Sequence, residues 1–551
     1  MVKYIINLIC LTIVVLLASE KCSACTNLLV TRGASADSSA IITYTCDAEF
    51  HPILEYSPAS DHQEEDSVEI TDWYGNVRGK IPQVKHTYAV VGLMNEHQLA
   101  ISETTFGGRE ELRNPDGLLH YWDMMKLALE RAKTAREAIK VMTSLVDKYG
   151  YRSSGETFSI ADTKEVWIME MIGPGTDGEG AHWVALRIPD GYISCHANKA
   201  RIGEFPLDDS KNCLYSEDVI SFAIEKNYYD PESGIPFQFC EAYCPSTPKN
   251  KRYADSRVWS IFRRSAPSKN FSPDYHRAVT DAEPYPLWIK ADKKLSLSDV
   301  FDLMRDHYEG TPYDMTKGID AGPYGTPNRW RPMTWRPDSS DTTGPEYAWE
   351  RPISTQQTGF SFVSQSRDWL PDKIGGVYWY GVDDTYTTCY FPLYCGINSI
   401  PESFTVGELG SFSWESAWWV FNFVANFANL KYSFMLPEIQ SVQGDIEGTF
   451  LALQPAVENT ALMLEQSDPE LMTRYLTDYS VTHGEQVVDS WKRLAEHLLT
   501  KYNDGYVKDE NGRPKGRGYP ESWLQKVVGA RPYQFRLPNV DTTIAESKLE
   551  D

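Results

Sequence analysis

Residue 25 is a cysteine placed where an apolar leader gives way to a strand-like sequence, Ser23-Ala24-Cys25-Thr26-Asn27-Leu28-Leu29-Val30. Cleavage after Ala24 would make it the first residue of the mature chain. A cysteine in that position carries its own base, because a free α-amine titrates near ~7.7–8.0 and can take the thiol proton directly or through one water. Nucleophile and base then share one residue. The chemistry this serves is acyl transfer through a thioester.

The residues before it read as a signal peptide over 1–24: Lys3, an apolar run from Tyr4 to Ala18 interrupted by Asn7 and Thr12, then small and polar residues up to Ala24. The apolar centre is too short for a membrane span, so the sequence predicts an exported, periplasmic or extracellular protein. Cleavage before a cysteine also resembles lipoprotein processing, although Cys22 stands where that signal wants an aliphatic residue. The two outcomes exclude each other for catalysis, since an acylated Cys25 is neither nucleophile nor base.

Other chemistry is sparse. Gly173-Pro-Gly175-Thr-Asp-Gly178 satisfies G-x-G-x-x-G, but a second strand pattern follows it and no helix N-terminus is available to cradle a phosphate, so it reads as a hairpin loop. No H-E-x-x-H, G-x-S-x-G or Walker motif occurs, and the expectation is catalysis without metal or bound cofactor. Of ten cysteines, those beyond the leader are Cys25, Cys46, Cys195, Cys213, Cys240, Cys244, Cys389 and Cys395. Cys240 with Cys244 and Cys389 with Cys395 could pair, but no histidines lie at zinc-finger spacing. The formal charge is -24, and loss of Lys3, Glu20 and Lys21 with the leader makes it one unit more negative. Nucleic acid and anionic membrane surfaces are therefore poor partners. Sixteen Trp, 32 Tyr and 21 Phe imply heavy aromatic core packing with amphipathic rims, and offer material for an aromatic-lined pocket.

The elements that must position this chemistry alternate strand and helix. Asn27–Arg32, Ala40–Thr45, Thr87–Leu93, Leu99–Thr105, Thr157–Ala161, Glu165–Ile172, Trp183–Arg187 and Tyr192–His196 read as strands, and one periodic helix is predicted over Tyr121–Tyr149, closed by Gly150. Residues 206–255 and 308–375 read as long ordered loops draped over the core around a binding site. Between them a helix near Ser296–Tyr308 has Ser296 as N-cap. From Glu408 to Asn503 the pattern is helical, with Trp414, Trp418 and Phe421 on one face and further helices over 444–465 and 485–502. The tail beyond Pro538 is acidic and reads as loosely held. The organisation is a 1–24 leader, a 25–405 catalytic domain and a 406–551 helix-rich region packed on it, in the α+β class.

The N-terminal segment Cys25-Thr-Asn-Leu-Leu-Val, with Thr45-Cys-Asp47, resembles the N-terminal-nucleophile cysteine hydrolases. It is most similar to the dipeptidases of peptidase family C69 and more distantly similar to bile-salt hydrolases and penicillin V acylases. Met94–Thr105, Leu129–Ala138, Ala197–Ile202, Ser256–Trp259 and Arg305–Gly310 resemble dipeptidase blocks in the family's order. The resemblance implies a four-layer αββα sandwich with long loop insertions and a helical C-terminal region. It matches Cys25 to the nucleophile, Asp47 to the acid that holds the nucleophile's α-amine, Asn198 to an oxyanion donor and Arg257 to an arginine beside the nucleophile. Read alone, Asp47 is a turn-capping carboxylate, Asn198 an Asx-turn and Arg257 a surface ion-pair residue. Two positions depart from the acylase branch: Tyr44 stands where it has an arginine, and Thr105 where it has an oxyanion asparagine. Thr105 is either a hydroxyl donor to the oxyanion or an ordinary strand threonine.

The implied activity is hydrolysis of unblocked dipeptides. Recognition of both ends requires a carboxylate for the substrate ammonium and a basic or backbone donor for its carboxylate. Two other functions remain open on sequence, an acyl-amide hydrolase of the bile-salt or penicillin type and a lipidated, non-enzymatic peptide- or glycan-binding surface protein. A homo-oligomer is compatible with either.

Overall fold

The computed structural model describes residues 25–176 and 178–537. The leader over 1–24 and the tail beyond Pro538 lie outside the described residues. Strands of four or more residues are β1 (Asn27–Val30), β2 (Ala40–Asp47), β3 (Ser67–Thr71), β4 (Val77–Pro82), β5 (Ala100–Gly107), β6 (Gly155–Ala161), β7 (Val166–Ile172), β8 (His182–Arg187), β9 (Ile193–His196), β10 (Thr358–Ser366), β11 (Val377–Val382) and β12 (Phe391–Tyr394). Helices of ten or more residues are α1 (Tyr121–Arg131), α2 (Ala135–Tyr149), α3 (Ser256–Ser265), α4 (Ala417–Ala428), α5 (Tyr432–Ser467), α6 (Pro469–Tyr502) and α7 (Glu521–Ala530).

The molecule is a mixed α/β protein built on two large antiparallel sheets. One has the order Trp288–Ile289, β9, β1, β2, β10, β11, β12, and the other Cys213–Tyr215, β8, β7, β6, β5, Met94–Asn95, Val90–Val91, Tyr56–Ser57. β7 explains how the second sheet is used. Its alternating side chains divide between two clusters, Trp167, Met169 and Met171 packing with Met125, Ile139 and Met142 of α1 and α2, while Ile168 and Ile172 join Leu28 and Val30 of β1. A strand buried along its whole length, apolar at every position but Glu170, is what coverage on both faces requires. β1 and β2 touch β5 directly, and α6 lies along β12 at the far edge of the first sheet. The head of β1, where Cys25 sits, is thereby placed at a junction of the two sheets.

The predicted helix over 121–149 is two helices. Thr134 caps α2, accepting from the Glu137 amide at 3.3 Å, and Asn95 donates to the Leu129 and Ala132 carbonyls at 2.8 and 2.7 Å, terminating α1. Hydrophobic periodicity ran through this break because α1 and α2 cover the same sheet. The predicted strand over 87–93 is reduced to two-residue pieces. The Ser296 cap forms a capping box with Asp299, but its helix ends at Leu303. The G-x-G-x-x-G segment connects the antiparallel pair β7 and β8, as a hairpin loop does. All eight cysteines from Cys25 onward are free thiols, so neither Cys240 with Cys244 nor Cys389 with Cys395 is bonded. Among the described residues no helix is long and apolar enough to cross a membrane.

Candidate active site

Cys25 is fully buried, and its surroundings divide into a carbonyl side and a sulfur side. On the carbonyl side, Arg257 Nη1 donates to the Cys25 carbonyl at 2.7 Å and to Thr26 Oγ1 at 2.9 Å, while Nη2 donates to Asn198 Oδ1 at 2.8 Å. The planar guanidinium thus holds the Cys25 backbone and the Asn198 side chain in one plane of contacts, a geometry a lysine ammonium cannot reproduce. Arg257 stands at the start of α3, where a π-helical turn over Lys251–Asp255 runs into the helix.

Asn198 follows β9 with φ at +54°, the left-handed region that asparagine tolerates better than most residues. Its Nδ2 donates to the Thr105 carbonyl at 2.7 Å, which aims the amide between β5 and α3. The segment after it is tied down at several points. Lys199 pairs with buried Asp255 at 2.8 Å, and the Arg201 and Ile202 amides donate to Glu170, at 2.5 and 3.2 Å to Oε1. Burial raises that Glu170 carboxyl to about 7.

Asp47, at the end of β2, is also completely buried. Its Oδ2 accepts from Arg351 at 2.7 Å and from Thr45 Oγ1 at 3.2 Å, and its Oδ1 from Thr358 Oγ1 at 2.7 Å. Thr358 is its register partner across β2 and β10. Thr45 Oγ1 in turn accepts from the Thr26 amide at 3.0 Å, so the carboxylate is linked to the strand carrying Cys25. Burial pushes Asp47 up from its ordinary value, and Arg351 is the main charge opposing that.

On the sulfur side, Cys25 Sγ lies 3.7 Å from the Tyr44 hydroxyl and 3.8 Å from Glu103 Oε1, and Tyr44 donates a short hydrogen bond to the same carboxylate oxygen. Desolvation first, then the Cys46 thiol and the Glu103 charge, hold the Cys25 thiol well above its ordinary value. A resting thiol kept protonated in this way needs a base at the moment of attack. His196, on the neighbouring β9, is spent on Thr104 and Ser159, each at 2.7 Å. Thr105 places its hydroxyl on Glu156 Oε1 at 2.9 Å; what it turns toward Asn198 is its carbonyl. An aromatic series runs outward from Tyr44 through Phe360, Phe50 and Trp73 to Trp122, with successive centroids 5.4–6.3 Å apart. Gly359 is required here, since a Cβ would stand 2.6 Å from the Phe50 ring.

Of the residues named on sequence, Cys25, Asn198, Arg257 and Thr105 form one connected hydrogen-bonded group, and Asp47 joins it through Thr45. Arg351, Glu103 and Glu156 were given no role by the sequence. The glutamates carried a signal, being charged residues inside otherwise strand-like runs, Ala100-Ile-Ser-Glu103-Thr-Thr105-Phe and Gly155-Glu156-Thr-Phe158. Arg351 carried none beyond its place in a loop predicted to drape over a site.

The guanidinium of Arg257 thus ties the Cys25 backbone to the Asn198 side chain beside a buried thiol, and comparison with known sequences places the chain among peptidases. The family model described as peptidase family C69 matches residues 65–445; the chain belongs to that family. It is 27% identical over 422 residues to a probable dipeptidase of Salmonella dublin, covering 72% of this chain and 87% of that protein. It is 25% identical over 498 residues to a probable dipeptidase of Latilactobacillus sakei, covering 84% and 96%. Dipeptidase A of Lactobacillus helveticus is 26% identical over 336 residues, covering 61% and 60%.

Proposed function

We propose that this protein is an exported cysteine dipeptidase with an N-terminal nucleophile, folded as a four-layer αββα sandwich. The observation that carries the reading is the position of Cys25, at the head of β1 with its carbonyl clamped by the same arginine that orients Asn198. Removal of residues 1–24 frees the α-amine. That amine takes the thiol proton, and the thiolate attacks the peptide carbonyl. Asn198, with its second amide hydrogen, and a backbone N–H stabilise the oxyanion, and the amine returns the proton to the departing amino acid. Water then hydrolyses the thioester. Asp47, held by Arg351, keeps the α-amine in place, and the Tyr44 to Trp122 aromatic series receives substrate side chains of broad preference. Tyr44 and Thr105 replace acylase-branch residues, which supports peptides over bile salts or penicillins as substrates.

The test is hydrolysis by the processed protein. Unblocked dipeptides are cleaved at least about 100-fold more efficiently by kcat/KM than N-acetylated dipeptides, glycine-conjugated bile salts or penicillin V, roughly 2.7 kcal/mol in transition-state binding. Cys25→Ala abolishes turnover while the unfolding transition is retained. Equal rates on blocked and unblocked substrates would make the enzyme a general acylase, and full activity of Cys25→Ala would remove the mechanism.

A further inference from the structure

The dipeptidase reading, on which the following rests, fixes where a substrate ammonium must go. In a dipeptide the ammonium nitrogen is two bonds from the scissile carbonyl carbon, about 2.5 Å away, and the sulfur approaches that carbon to about 3–3.5 Å before attack. The ammonium therefore comes to rest within about 6 Å of Cys25 Sγ, and its counter-charge must lie within hydrogen-bond reach of that point.

Two buried acids named above are close enough to consider. Asp47 already receives Arg351 and two threonine hydroxyls. Glu103 does not resemble it: Oε1 is 3.8 Å from the sulfur and is met by Tyr44, while the buried Oε2 meets no amide, hydroxyl or cationic donor among the described residues, and the hydrogen-bonding neighbour of this carboxyl is a second acid, Glu156. Glu156 lies diagonal to it across β5 and β6. A buried carboxylate that meets no cation is costly unless a ligand completes it. We propose that Glu103, backed by Glu156, is the seat of the substrate's α-ammonium and the reason the enzyme removes single N-terminal residues. Burial pushes the Glu103 carboxyl up from its ordinary value, with the hydrogen bonds from Glu156 and Tyr44 opposing that, and an ammonium seated against the two acids would supply the positive charge that none of these neighbours carries. A chain extended on the N-terminal side would set a neutral amide, not an ammonium, against these two acids.

The experiment uses the processed protein with Ala-Phe and its des-amino counterpart, propionyl-Phe, following release of phenylalanine. The wild-type kcat/KM ratio of the two is at least 100, and in Glu103→Gln it falls below 10, with the loss on Ala-Phe appearing in KM. Glu103→Asp, which keeps the charge but withdraws it by one methylene, lowers the ratio about tenfold and covers the case in which the amide variant does not fold. A ratio unchanged in both variants, with both peptides slowed alike, would place Glu103 at the nucleophile and overturn the assignment while leaving the dipeptidase reading intact. A wild-type protein inert toward both peptides would overturn that reading and the inference with it.

Discussion

Two buried acids flank Cys25, and they are compensated in opposite ways. Asp47 faces a guanidinium at 2.7 Å and two hydroxyls, whereas Glu103 faces a phenol and another carboxyl, with no amide, hydroxyl or cationic donor on its second oxygen among the described residues. Both have no exposed surface. Burying a charge is tolerable when the partner is built in, and where it is not the group holds a proton or waits for a cation. The difference separates an anchor from a proposed receptor: Asp47 belongs to the framework that fixes the strand carrying Cys25, and Glu103 is the group proposed above to receive a ligand.

The comparison breaks first at Arg351. Arg351→Met leaves the Asp47 carboxylate buried without its cation and is expected to cost about 3–5 kcal/mol of stability, read by chemical unfolding, with part of that recovered in the Asp47→Asn/Arg351→Met double variant. A loss below about 1 kcal/mol would mean that the pair is ornamental and the contrast with Glu103 false. Next in size, Asn198→Ala should lower kcat by about 10²–10³-fold with KM little changed, the signature of a donor used in the transition state; a change confined to KM would make Asn198 a ground-state contact.

Glu103 gives a smaller effect of opposite sign. Its carboxyl is raised in the fold, so the folded state binds that proton more tightly than the unfolded chain. The stability it contributes is fully present below the unfolded value of about 4.3 and is lost as pH rises through the folded value. Glu103→Gln, which cannot ionise, should therefore melt higher than wild type at pH 7, by roughly 1–3 °C, with the gap closing toward pH 4. A variant that melts lower at pH 7 by the same margin would show the ionised carboxylate to be stabilising and would place it with Asp47. The least effect is expected from Cys46→Ala. Cys46 neighbours the nucleophile without a role in the proton path, so turnover should remain within about threefold of wild type, and a loss of 100-fold would move chemistry onto that thiol.

What the sequence disclosed was whatever depended on local pattern. The β7 run and the α1 and α2 faces were legible because period two and period 3.6 are imposed by the sheets and helices themselves. Cys25, Asn198 and Arg257 were singled out through the blocks that contain them, and the fold brings the three together. The break at Thr134 was not legible, because the capping residue interrupts a face that keeps its apolar spacing on both sides. The reading of 308–375 as loop missed β10, a central strand of the first sheet, and nothing in the composition of the segment said that Arg351 would cross to Asp47, a pairing 304 residues apart. Glu103 stood in plain view inside a quoted block. That it meets a phenol and a second acid is a property of the packed site, invisible to spacing.

The central claim is that the active protein begins with a nucleophilic Cys25. Intact-mass and N-terminal peptide analysis of the active, exported protein, before and after iodoacetamide, tests it most directly. The account predicts a chain starting at Cys25 with a free α-amine, one carbamidomethyl group on its sulfur, and activity lost in proportion to that label. An active chain that still carries residues before Cys25, or bears a diacylglycerol at that position, would contradict it.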